Sequence, residues 1–552
     1  MRRLSIAVLL LVLLTACVAA GCGTSGNTTS TAAVTSSSAT ALTTSSTVSS
    51  TASTGPETTA GDTSSTAAAE QPKYGGTARI LMQPLIQNAC GLPWELWGPQ
   101  FVFDQFAMDP LFLGNAKGEM VPWLAKSYEL AADKMSVTIV LNQGIKFHDG
   151  SDLNADVVKW NLDQYMAAGV VVNWKSIEVV DPYTVKIDFS TWTNINLAQL
   201  QNGCWIISKD NYDKNGKDYA RDHPCGTGPF EFVSYQNNVK MVLKKNPNYW
   251  VKGRPYLDGL ELDFVADPMT QSAMMQAGEA ELIGQQFLNK QAQDLKDKGI
   301  IIEANITSTN CLVPDAGNAD SPYKDLKVRE AVDYAIDRGA VADAFSFGFW
   351  KEQNQVPGPD STIFNPNFTL GRKYDPEKAK QLLAEAGYPD GFKTSLIYPQ
   401  GMVADDYAAA VQQMLQAVGI KASLVKSMNA AKENEDMSTI HNNLAIQAVD
   451  SISGSWNRCF QYTFMSPAAG ASNAHWLKSP EWVALADKSL ASTTEEVSLA
   501  QAVSDQWVKE ASVIPVGCGG IGWAHASYVK DAGYFTRGYS AWIKSWEMWL
   551  DK

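Results

Sequence analysis

The side chains best suited to proton transfer or metal binding near neutral pH are five histidines, His148, His223, His441, His475 and His525. No two stand at metal-ligand spacing, and each reads as a turn or surface residue. Gly-x-Ser-x-Gly, His-Glu-x-x-His and Gly-x-x-x-x-Gly-Lys-Ser/Thr are all absent, which removes the common hydrolase, zinc-protease and phosphate-loop signatures. Gly517-Cys518-Gly519-Gly520-Ile521-Gly522 does match the dinucleotide pattern after a strand-like run. Only 30 residues remain beyond Gly522, and residues 523–531 lack an apolar helical stripe. No acid follows on a second strand to hold a ribose, so a glycine-rich hinge is the better reading. The expectation is a chain without cofactor, metal or catalytic group.

Eight cysteines divide into Cys17 and Cys22 near the start and six others, Cys90, Cys204, Cys225, Cys311, Cys459 and Cys518. No Cys-x-x-Cys occurs, so zinc-ribbon and thioredoxin-like readings have no support. The first two sit in Leu14-Thr15-Ala16-Cys17 and Ala19-Ala20-Gly21-Cys22, which both spell the site where bacterial signal peptidase cuts before a lipid-modified cysteine. Arg2 and Arg3 precede an uncharged apolar run over residues 4–14, too short for a bilayer span of about 20 residues. A signal peptide over 1–16 is expected, or 1–21 if Cys22 is used, with an ordinary secretory signal as the alternative. Either places the protein outside the cytoplasm, and the first two hold it to the membrane by lipid. In an oxidising compartment the other six cysteines invite disulfides, of unspecified connectivity.

Residues 24–70 are almost all Ser, Thr, Ala and Gly, without Lys, Arg or an aromatic ring. Such a stretch cannot bury enough apolar surface to offset its ordering entropy, and reads as a tether over 17–71, plain or O-glycosylated. Net charge is −14, and no basic run interrupts it, which argues against nucleic acid and anionic lipid surfaces as partners. With 45% hydrophobic residues over 552, the remainder can bury a large core in more than one lobe.

Strand-like and helix-like segments alternate from Gly75 onward, an α/β pattern. Residues 135–141 alternate with period two. Asn154 is placed to cap a helix reaching Ala168, with Val158, Leu162 and Tyr165 on one face. Asp375-Pro376-Glu377 opens a second helix that Gly387 ends. A third, about 404–418, stops at Gly419 and runs into an apolar stretch at 420–425.

Four stretches in order resemble the peptide/nickel-binding family of ABC solute-binding proteins, family 5. Tyr74-Gly75-Gly76-Thr77 is similar to the family's opening. Val121-Pro122-Trp123-Leu124-Ala125-Lys126-Ser127-Tyr128 precedes Lys146-Phe147-His148-Asp149-Gly150. Gly226-Thr227-Gly228-Pro229-Phe230 is followed by Asn246-Pro247-Asn248-Tyr249-Trp250. Pro322-Tyr323-Lys324-Asp325 runs into Val328-Arg329-Glu330-Ala331-Val332-Asp333-Tyr334-Ala335-Ile336-Asp337-Arg338. Physically, these read as turns, caps and core faces, so they define a fold more than a ligand.

The resemblance implies a two-lobed, periplasmic-binding-protein-like α/β fold with two crossover strands and a subdivided first lobe. Transferred to this chain, lobe I is 72–310 with a subdomain inserted at about 102–225, lobe II is 311–517, and 518–552 return to lobe I. It also implies hinge closure over a solute and delivery to ABC permease subunits with their ATPases. Peptide-binding members carry an acid in the loop equivalent to 448–459 to meet a peptide's amino terminus. Here Asp450 is the only carboxylate, off the expected register, and the family's Gly-Trp and Asp-Pro elements are missing. Arg458 offers a fork for a carboxylate instead, beside Trp456 and Asn457. Trp94, Trp97 and Trp205 fall where the family lines its cleft, and either stack on ligand or pack in the core. By the same resemblance Cys311 would pair with Cys459, and Cys204 with Cys225 would close a nearby loop. An oligosaccharide or metal-chelate ligand, a sensor lipoprotein and an unrecognised enzyme are the competing readings.

Overall fold

The computed structural model describes residues 71–84, 91–95, 103–114, 120–201, 203–284, 288–304, 308–359, 361, 363–400, 403–428, 430–450, 476–492, 496–519, 521–537 and 540–552. All of them belong to the compact unit Glu70–Lys552. Local rules account for its elements. In strand Ser136–Leu141 the alternating Val137, Ile139 and Leu141 are buried while their neighbours face outward. Helix Ala155–Ala167 starts where Asn154 Oδ1 accepts from the Val157 amide at 3.0 Å, and it buries Val158, Leu162 and Tyr165. Helix Pro376–Glu385 is capped by Asp375 in the same way, at 2.9 Å from the Lys378 amide. Helix Asp405–Ala417 leads through Gly419 into strand Lys421–Ser427.

Two sheets organise the unit. The first has seven strands in the order Phe230–Gln236, Lys240–Lys245, Gly259–Phe264, Thr77–Met82, Leu282–Ile283, Ile521–His525, Ile301–Ala304. Its centre is parallel, with Thr77–Met82 paired to Gly259–Phe264 on one side and to Leu282–Ile283 on the other. The second has six strands, Trp350–Glu352, Ile514–Gly519, Ser308–Pro314, Asn443–Asp450, Lys393–Pro399, Lys421–Ser427. There Lys393–Pro399 is parallel to both neighbours. The sheets are joined twice: Ile301–Ala304 leads to Ser308–Pro314, and Ile514–Gly519 leads to Ile521–His525.

A separate four-stranded antiparallel sheet, Ala125–Leu130, Ser136–Leu141, Thr184–Phe189 and Trp174–Asp181, forms the inserted subdomain with helix Ala155–Ala167 against it. One continuous cluster of buried side chains runs through the first sheet and this subdomain, and includes Trp523, Val529, Ile543, Met548 and Leu550 from the chain's last stretch. The second sheet has its own clusters, around Val328, Leu383 and Ile446 on one face and around Val313, Trp482 and Trp507 on the other. Insert and first sheet therefore share one core. The second sheet has its own, although Ile195 of the insert packs into one of its clusters.

Candidate functional site

Strand direction locates the crevice. In the first sheet Ile283 pairs with Ala524, and Ala304, the last residue before the first crossover, pairs with Ile521 at the start of the returning strand. The carboxyl ends of the parallel strands thus point at the crossovers. In the second sheet Ser308, where the chain enters, lies opposite Asp450, where Asn443–Asp450 ends. Its parallel strands also present their carboxyl ends to the crossovers. Open α/β sheets bind ligands outside the carboxyl ends of their strands, and here two such edges share one pair of connections.

The sequence-predicted residues divide around this crevice. Asp450 is its strand's last residue, at the crossover edge. Trp97, Trp456, Asn457, Arg458, Cys459, Cys17 and Cys22 lie outside the described residues. Trp94 is buried in the first-lobe core, with Trp160 and Tyr165 nearly perpendicular to it at 5.7 and 5.9 Å. Trp205 is buried in the same core, its amide donating to the Tyr165 hydroxyl at 2.9 Å and its carbonyl accepting from it at 3.2 Å. For these two, packing is the role the structure supports.

The cysteines are thiol-like. The expected Cys204–Cys225 bridge is not formed: Cys225 is a free thiol, and Cys204 Sγ donates to the Gln199 carbonyl at 3.5 Å. Burial pushes the Cys225 thiol up to about 12, which leaves it protonated and inert. Cys311 is a buried thiol on the first crossover, held up by burial, and its expected partner Cys459 is outside the described residues. Among the described residues no three His, Cys, Asp or Glu side chains gather as a metal site would need.

The second and third motif stretches are tied together, directly and through Asp109. Asp109 Oδ1 accepts from Trp123 Nε1 at 2.7 Å and Tyr249 OH at 3.3 Å, and Oδ2 from Thr227 Oγ1 at 2.8 Å and Trp250 Nε1 at 2.9 Å. His148 places Nε2 2.9 Å from the Gly228 carbonyl, which also accepts from Asn246 Nδ2 at 3.0 Å. Gly226 and Gly228 must be glycines because a Cβ on either would lie within 2.5 Å of Ala107 backbone atoms. The run at 517–522 has a similar explanation. A Cβ on Gly517 would sit 2.1 Å from the Trp350 ring, so the glycines admit a tryptophan onto the second crossover and not a pyrophosphate.

Sequence reasoning missed Glu433. It sits in the first turn of helix Ala430–Thr439, which leaves the carboxyl end of strand Lys421–Ser427, and is half-buried beside Gln447 and Asp436. In sequence it belongs to Lys432-Glu433-Asn434-Glu435-Asp436, which looks like a solvated charge run. Burial, with the neighbouring Asp436 adding to it, raises its carboxyl from 4.5 to about 7. A carboxyl raised on folding adds stability that is complete below pH 4.5 and lost as pH rises to about 7. Glu433→Gln is therefore expected to leave stability unchanged at pH 4 and raise it by about 1–2 kcal/mol at pH 8, discounted for partial solvent access. Urea midpoints at the two pH values check this, and an equal effect at both would refute it.

The family described as bacterial extracellular solute-binding proteins, family 5 Middle, matches residues 119–465. The chain belongs to this family. Its relatives include the glutathione-binding protein GsiB of Salmonella typhi, 35% identical over 313 residues, which cover 54% of this chain and 60% of that protein. The match thus spans well under two thirds of the curated relative's length. Among solved structures, the family-5 chain is similar to the periplasmic binding protein DppA of Helicobacter pylori in complex with peptide STSA. That likeness has a TM-score of 0.75 at 23% identity and covers 87% of this chain and 99% of that one. NikA of Staphylococcus aureus in complex with Ni(L-His)2 gives a TM-score of 0.72 at 20% identity, covering 86% and 100%. At these identities the likeness is one of fold: the family-5 chain has the two-lobed periplasmic-binding-protein architecture. Among the described residues of this family-5 protein, no helix is long and apolar enough to cross a membrane.

Proposed function

We propose that this chain is the extracytoplasmic solute-binding subunit of an ABC importer, which encloses a peptide or peptide-like solute between its lobes and presents it to a membrane permease. The observation that carries this reading is the crevice itself: two sheets, each offering the carboxyl ends of parallel strands, joined by paired crossovers. Such a scaffold can hinge on the crossovers while both rims stay rigid. The protein binds and releases; it has no turnover of its own. Lipid at Cys17 or Cys22 would hold it on the outer face of the membrane, with 17–71 as tether.

Peptide-like chemistry is supported by the glutathione-binding relative and by the polar pair on the 448–459 loop. Asp450 would meet an amine and Arg458 a carboxylate, with Trp456 as a ring for the solute to stack on. Met269, 76% exposed, and Met428, 65% exposed, stand beyond the strand ends of the two sheets and would close over apolar parts of the solute. Native mass spectrometry of the secreted protein should find a co-purifying peptide-sized solute. Calorimetric titration with glutathione and mixed di- to tetrapeptides should give binding that Arg458→Ala weakens at least tenfold, about 1.4 kcal/mol. A co-purifying oligosaccharide or nickel chelate would sink the peptide reading, and turnover of the bound compound would sink the binding-only one.

A further inference from the structure

Helix Pro480–Ala491 of the second lobe ends at Ser492, which is in an extended conformation. The last four carbonyls of any helix lack intrahelical partners. Three of them here are bonded by the first lobe's inserted subdomain. The Asn194 amide donates to the Leu490 carbonyl at 2.8 Å, Asn194 Nδ2 to the Ser489 carbonyl at 2.9 Å, and Trp192 Nε1 to the Ala491 carbonyl at 3.2 Å. Asn194 Nδ2 also lies 3.5 Å from Ser492 Oγ. The next residue, Ile195, is 3% exposed and packs with Val313, Val356, Trp482 and Leu490, in a cluster whose other buried members all come from residues 311–513.

These contacts join two bodies whose main cores are separate, at a place distinct from the other junction, where Ala292 packs on Phe349 and Asn289 Nδ2 donates to the Phe345 carbonyl at 3.0 Å. Trp192 itself packs on the first-lobe cluster and Phe189, so the segment carrying Asn194 and Ile195 is anchored to that lobe. When the crevice opens, the Leu490 and Ala491 carbonyls and the Ile195 side chain lose these partners, while the Ser489 carbonyl keeps the Ser492 hydroxyl at 2.7 Å.

We propose that residues 192–195 are a latch that holds the lobes together independently of solute, by supplying the C-terminal cap of helix Pro480–Ala491 across the crevice. Solute binding then completes a closure already favoured, and release requires the latch to break. The affinity for any solute is raised by the population of the latched form. The inference does not depend on which solute the crevice takes.

Small-angle scattering on the full mature chain, freed of bound solute as checked by mass spectrometry, tests it. A compact body of about 480 residues has a radius of gyration near 23 Å. The tether adds to this, so the comparison is within one chain length: wild type should keep the same radius with and without solute, while Asn194→Ala, Trp192→Phe and Ile195→Ser should each expand when solute is absent. Loss of one neutral hydrogen bond should lower the closing constant about fivefold in the first two. As a second check, which keeps the Asn194 backbone amide and Trp192 bonds in place, the pair Asn194→Cys and Ser492→Cys should cross-link rapidly under mild oxidation without solute. Unchanged radii in all three variants, with thermal unfolding intact, would overturn the latch, as would a cysteine pair that cross-links only after a glutathione or peptide probe is added.

Discussion

Asp109→Ala is expected to cost the folded chain about 4 kcal/mol, the largest loss from any single polar side chain of the first lobe. The carboxylate is fully buried, and each oxygen takes two donors. Truncation orphans two indole N–H groups and two hydroxyls at once. The hydroxyls of Thr227 and Tyr249 can turn to other acceptors, whereas the Trp123 and Trp250 indoles are donors only. Asp109→Asn is the finer test. Whichever oxygen becomes the amide nitrogen faces one indole and one hydroxyl, so a donor meets a donor. Burial pushes the Asp109 carboxyl up against those four hydrogen bonds, so removing the charge recovers part of the loss. About 2 kcal/mol should remain for the asparagine variant. Urea unfolding followed by tryptophan fluorescence, with an unchanged m-value, measures both. An asparagine variant as stable as wild type would mean that the site satisfies its donors by other means, and that Asp109 does not tie the motifs together.

That network shows what the sequence could and could not convey. Helix Ala155–Ala167 and strand Ser136–Leu141 were readable because their signals are local: a cap three residues from its amide, a period of two. The motifs around Trp123, His148, Thr227 and Trp250 were readable as family marks, yet their common partner was not. Asp109 belongs to none of them, and its donors arrive from 14 to 141 residues away. Nothing in one dimension gives an aspartate four partners. Trp94 and Trp205 mark a different limit, since the sequence leaves stacking and packing equally open and only the packed structure shows what surrounds each ring. Glu433 was hidden for the same reason as Asp109, its charge run being solvated on one side and covered on the other.

The two lobes solve one problem with different chemistry. In the first, an acid is buried under neutral donors. In the second, Asp333 is buried under two guanidiniums. Arg338 pairs with its Oδ1, and Arg372 Nη1 lies 3.1 Å from Oδ2. Arg372 also reaches Glu330 at 2.7 Å and the carbonyls of Val508 and Lys509 at 2.8 and 3.0 Å. Arg338 Nε donates to the Pro515 carbonyl on the second crossover at 2.7 Å. The last helix of the motif region is thereby fixed to the strand on which the lobes hinge.

Asp333→Ala should therefore destabilise by about 3–5 kcal/mol, because a buried ion pair that loses one partner leaves an uncompensated charge. The side chains of Arg338 and Arg372 are 9% and 8% exposed, so water cannot take over. Arg372 retains Glu330; Arg338 retains only carbonyls. The double variant Asp333→Ala with Arg338→Met should then recover part of the loss, since the orphaned charge goes with the carboxylate, although Pro515 loses its donor. The destabilisation should change little between low and high salt, unlike that of a surface pair such as Lys290–Asp294. A second expected reading separates this pair from a bland core contact. With the bond from Arg338 to Pro515 loosened, hydrogen exchange at residues 514–519 should rise even in conditions where the chain stays folded. Loss of stability without faster exchange on that strand would show the cluster to brace only its own helices, and the crossover to be held by packing alone.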